Sequence, residues 1–86
     1  MPHSFSPEQC RAARGLLDWT QEHLADVAGV SRSTVRDFEK GRHDLSRASA
    51  TQIMGALEQA GVFLIPAGSM GPGVRLALPP GHLQGS

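Results

Sequence analysis

Apolar residues recur at helical spacing from the N-terminus to Ala60, and a two-residue alternation replaces that pattern afterwards. The chain therefore reads as a bundle of helices followed by a small β element. Ser6-Pro7-Glu8-Gln9 offers an N-cap hydroxyl, a proline at the first helical position and a glutamine where a capping box needs one. The helix that starts there buries Cys10, Ala13 and Leu17, with Leu16 beside them, and ends near Leu17 or Asp18. Thr20 caps a second helix that runs to Val27 or Ala28, with Leu24, Ala25 and Ala28 inward. Gly29 breaks it. Ser31 caps a third helix to about Lys40, on which Val35 and Phe38 share a face, and Gly41 supplies a left-handed stop. Ser46 opens a fourth helix with Ile53, Ala56, Leu57 and Ala60 as its apolar stripe, closed by Gly61.

Beyond Gly61, Val62-Phe63-Leu64-Ile65 is a β-prone run, and Val74, Leu76 and Leu78 alternate with Arg75 and Ala77. Between the two runs, Pro66 to Gly73 holds three glycines and two prolines, so a hairpin with a wide loop is expected. Three stretches follow: a helical domain over residues 1–61, a hairpin over 62–78, and a tail over 79–86 expected to be flexible. At 86 residues the chain suits one domain, of a size for which self-association adds useful stability. Trp19, Phe38 and Phe63 are read as core, and Cys10 as a small buried hydrophobe.

The segment Gln21 to Gly41 carries the most specific signal. Two short helices joined by a tight turn pack only if the contact residue is small, the turn residue tolerates positive φ and the second helix returns a branched apolar contact. Ala25, Gly29 and Val35 meet those three needs, with Leu24, Val30 and Phe38 in support. Thr20-Gln21-Glu22-His23-Leu24-Ala25, Ala28-Gly29-Val30-Ser31-Arg32-Ser33-Thr34-Val35 and Glu39-Lys40-Gly41 together resemble the Cro-like, XRE-type helix-turn-helix regulators, over about Ser6 to Ala60.

The resemblance implies a mainly α, four-to-five-helix repressor-like bundle, here with a C-terminal β-hairpin. It also implies a homodimer that binds double-stranded DNA at a palindromic operator and represses transcription. In such motifs the third helix enters the major groove N-terminus first. The base readers expected here are Arg32, Ser33 and Asp37, while Arg36 reaches a base or a phosphate. Arginine suits guanine, serine adapts to several edges, and aspartate accepts from cytosine or pairs with a neighbouring arginine. Gln21, Thr34, Lys40, Arg42 and His43 are expected at backbone phosphates. Phe63, Ile65, Val74, Leu76 and Leu78 of the hairpin are expected to form the dimer interface, with the alternative that these strands cover the bundle's own core. A second functional reading on the same fold is an antitoxin, or another interaction module, that engages a protein partner through its C-terminal strands.

Charge bears on this only through its distribution. The formal net charge is zero, but Ser31 to Arg47 carries five cations against three anions, and Glu8 to Val30 two cations against four anions. A positive middle and a negative front would orient the protein on a polyanion. Other chemistry finds little footing. His3, His23, His43 and His82 lie far apart with no second cysteine to complete a ligand set, so neither a metal nor another cofactor is expected. The glycine-rich loop after Ile65 precedes no helix, and no nucleophile turn frames a serine, so the chain is not read as an enzyme. The longest apolar run, Val62 to Ile65, is far below the ~18 residues of a membrane span. With one cysteine and no secretory signal at the N-terminus, a cytoplasmic protein is expected.

Overall fold

A computed structural model describes residues 5–77, as four helices and a two-stranded antiparallel sheet: α1 (Pro7–Leu17), α2 (Gln21–Ala28), α3 (Arg32–Glu39), α4 (Arg47–Gln59), β1 (Val62–Ile65) and β2 (Gly73–Leu76). Leu78 and the tail over 79–86 lie outside the described residues.

Every helix starts on a hydroxyl cap. Ser6, Thr20, Ser31 and Ser46 each accept the backbone N–H three residues on, and Ser6 and Gln9 complete the capping box. The ends are equally local in origin. Gly29 and Gly41 both adopt φ +75°, and the chain wraps back from them: Val30 N–H donates to Ala25 O at 3.0 Å, and Arg42 N–H to Asp37 O at 2.8 Å. α1 ends the same way, with the Trp19 N–H on Arg14 O, but the residue in the left-handed region is Asp18.

The core is built from Phe5, Cys10, Ala13, Leu24, Ala25, Ala28, Val35, Phe38, Leu45, Ala50, Ile53, Ala56, Leu57 and Val62. Small residues let the helices approach closely, and the larger Leu24, Ile53, Leu57 and Val35 fill the centre. Leu16 departs from expectation. It stands about 100° around the helix axis from Leu17, on the rim of a narrow buried face, and is 43% exposed. Ala60 is the half-buried cap of α4 and not part of its stripe, which is completed instead by Ala50 one turn earlier.

The hairpin register pairs Val62 with Leu76, Phe63 with Arg75, Leu64 with Val74 and Ile65 with Gly73. Paired residues share a face, so seating Val62 and Leu64 on the bundle brings Val74 with them and turns Phe63 outward. Phe63 is accordingly 60% exposed and is not core. Val74 packs against the core, while Ile65 belongs to the outer set with Phe63 and Arg75. Gln9 fastens the hairpin to the helices. Its side chain is almost fully buried, and its amide nitrogen donates to Ile65 O at 2.8 Å and Gly73 O at 2.9 Å, the last pair of the two strands.

Candidate nucleic-acid interface

The three-residue turn Gly29-Val30-Ser31 sets α3 against α2 with Val35, Phe38 and Glu39 buried. The opposite side of α3 carries Arg32, Ser33 and Arg36 exposed, with Asp37 half-buried beside them. Residues four apart stack along a helix, so Arg32 lies over Arg36 and Ser33 over Asp37. The four expected base readers therefore form one contiguous patch, exposed at Arg32, Ser33 and Arg36 and half-buried at Asp37.

At the N-terminus of α3, three hydroxyls are knit together. Ser31 Oγ accepts Thr34 N–H at 3.1 Å and lies 2.7 Å from Thr34 Oγ1 and 3.1 Å from Ser33 Oγ. Thr34 is half-buried in this cluster. At the other end, Lys40, Arg42 and His43 are all exposed on the loop that leaves the helix. That loop is held from beneath, because the Arg42 and His43 N–H groups both donate to Asp37 O. On the patch itself, Arg36 Nε donates to Asp37 Oδ1 at 3.3 Å.

Behind the patch lies a polar cluster that the hydrophobic pattern does not announce. The Glu39 carboxylate, 3% exposed, receives the Arg14 fork from α1, with Nε on Oε2 at 2.8 Å and Nη2 on Oε1 at 2.7 Å. Gln21 of α2 adds Nε2 to Oε1 at 3.0 Å, and the Cys10 thiol donates to Oε2 at 3.0 Å. Arg11 donates to the Glu39 carbonyl and Arg14 Nη1 to the Trp19 carbonyl, so three helices are tied at one carboxylate. Burial would push the Glu39 carboxyl up, but the hydrogen bonds from Arg14, Gln21 and Cys10 and the Arg14 charge outweigh it and hold the group below the usual carboxylate range. Burial and the bond to Glu39 push the Cys10 thiol far up, so it stays protonated.

Two sequence expectations change in detail here. Gln21, expected at a phosphate, has one amide hydrogen committed to Glu39 in the free protein. Cys10 is buried as expected, but it is also a donor. The signal that could have found the cluster is Glu39 itself: it follows Val35 by four residues and Phe38 by one, which puts a carboxylate on the buried face of α3, where it needs a cation.

A helix-turn-helix family model matches residues 11–58, more than half of the chain and the whole of the α2–turn–α3 unit. The chain belongs to the XRE-type helix-turn-helix family. Among solved structures it is similar to the restriction-modification controller protein C.AhdI from Aeromonas hydrophila, at a TM-score of 0.58 and 29% identity over 60% of this chain and 79% of that one. No curated protein sequence matches it. As an XRE-type protein it is a DNA-binding transcriptional regulator that takes double-stranded DNA. The hairpin lies beyond the matched segment. Among the described residues no helix is long and apolar enough to cross a membrane, and no cluster of His, Cys, Asp or Glu could hold a metal ion.

Proposed function

We propose that this regulator is a homodimeric repressor that places α3 in the major groove of each half of a palindromic operator. The observation that carries the reading is the patch of exposed Arg32, Ser33 and Arg36 with half-buried Asp37, set on a helix whose other side is anchored by the Arg14–Glu39 pair. A helix held that rigidly presents its outer residues without reorganisation, which is what base reading needs. Lys40, Arg42 and His43 at the end of the helix, and Gln21 and Thr34 near the N-termini of α2 and α3, then lie where the two phosphate backbones flank the groove. One such unit covers few base pairs, so two are set about 34 Å apart on the duplex. The hairpin supplies the surface that joins them, Phe63 and Ile65 from the outer face and Leu76 from the edge of the face it shares with Val62. That same surface is what favours the alternative, an antitoxin-like module seated on a different protein.

Two substitutions give different fingerprints in a binding-site selection from random duplex DNA. Arg32→Ala relaxes the preference at one base position and costs about 1–3 kcal/mol on the best site. Lys40→Ala weakens all sequences alike and lowers the salt dependence, which for a dimer neutralising about six phosphates has a log–log slope of roughly −5. An Arg32→Ala protein that selects the unchanged motif, or binding that salt does not weaken, contradicts the proposal. Purification of the full-length protein bound to a second polypeptide, with no shift of duplex DNA, would favour the interaction module.

A further inference from the structure

The patch on α3 holds a cation and an anion that are neighbours in sequence. Adjacent helical residues project about 100° apart and do not ordinarily meet. Arg36 and Asp37 nevertheless do: Arg36 Nε donates to Asp37 Oδ1 at 3.3 Å. The bond uses Nε, and neither terminal nitrogen is hydrogen-bonded to a described residue. A guanidinium held by Nε presents those two N–H groups as a fork, the shape that guanine O6 and N7 accept together. Asp37 is suited to be the fixed partner. Its side chain is 23% exposed against 44% for Arg36, and its carbonyl carries two further hydrogen bonds from the loop after the helix. A bare carboxylate on this surface would also repel the phosphates on either side, and the Arg36 charge beside it removes that cost.

We propose that Asp37 is a positioning residue: it reads no base itself but holds Arg36 in the orientation that forks guanine. The two residues then specify one base position between them, and Arg32 specifies another. The inference rests on α3 being the groove-reading helix, and the test separates the two.

Random-duplex selection with Arg32→Ala, Arg36→Ala, Asp37→Ala and Asp37→Asn, each confirmed as folded by its melting curve, reads the outcome. Arg36→Ala should lower the preference for guanine at its position roughly 5- to 100-fold. Asp37→Ala should flatten the same position about two- to fivefold, as loss of an exposed ion pair does, while binding to non-specific duplex becomes tighter. Asp37→Asn keeps an acceptor for Nε and should restore the guanine preference. A general loss of structure would produce neither the confinement to one position nor that rescue. The proposal is overturned if Asp37→Ala alters a position that Arg36→Ala leaves intact, which would make Asp37 a reader, or if it alters none while Arg32→Ala still does. If all four variants, Arg32→Ala included, select the parent motif, α3 is not in the groove and the reading beneath the inference fails as well.

Discussion

A buried carboxylate has to be both paired and fully hydrogen-bonded, and Glu39 meets that condition with donors from three side chains. Arg14 contributes a bidentate fork, Gln21 and Cys10 one bond each, and their combined pull holds the carboxyl below its ordinary range despite its burial. A folded state that binds the proton more weakly than the unfolded chain gains stability above the unfolded value, about 4.3 for glutamate. That gain is lost as the pH falls through the lowered folded value. Glu39→Gln should therefore cost about 2–4 kcal/mol at pH 7, since Arg14 is left without its counter-charge but retains some access to water. The variant should also show a shallower loss of stability below about pH 4 than the parent. Urea titrations across that pH range check both. Parallel pH profiles for the two proteins would place the acid sensitivity elsewhere.

At the scale of elements, the hairpin depends on a residue of α1. Gln9 closes the capping box through its amide oxygen and uses its nitrogen to hold the carbonyls of Ile65 and Gly73, so one buried side chain serves a helix end and a strand pair together. Two short strands alone are marginal in water. With Gln9→Ala both carbonyls, each on a half-buried residue, lose a partner, at a cost of about 1–3 kcal/mol. Hydrogen exchange should report the hairpin amides as the most affected, and a loss spread evenly over the four helices would contradict the fastening role. The turn between α2 and α3 is a simpler case, because Gly29 at φ +75° is legible from sequence as the one residue type that takes this conformation freely. Asp18 shows the opposite. α1 ends at Leu17, as the sequence leads one to expect, but the residue in the left-handed region there is an aspartate and not a glycine, and the Trp19 N–H closes the turn on Arg14 O.

For the molecule as a whole, the hairpin has two unlike faces. Val62, Leu64 and Val74 complete the core, whereas Phe63 and Ile65 look outward and Leu76 lies at the rim. Removing the hairpin would strip the bundle of core residues, so the proposed dimer is better tested in the full chain with Phe63→Arg. The side chain is exposed, and the substitution should leave the melting temperature of the monomeric fold within a few degrees while shifting the sedimentation mass from dimer to monomer at micromolar concentration. Retention of the dimer would assign the interface to another surface. Loss of the dimer should reduce operator affinity far more than non-specific affinity, because only the former needs two aligned units.

The sequence by itself determined the helices, their caps and the turn, since these follow from contacts within a few residues: hydroxyls at Ser6, Thr20, Ser31 and Ser46, glycines at 29 and 41, and apolar residues at helical period. It also placed Arg32, Ser33, Arg36 and Asp37 together, because spacing alone puts them on the face opposite Val35 and Phe38. What only the tertiary structure decided are relations across long stretches of chain. The Arg14–Glu39 pair, the Gln9 clasp and the outward turn of Phe63 each depend on which elements meet and in what register, and a strand's alternation says that two faces differ without saying which one finds the core.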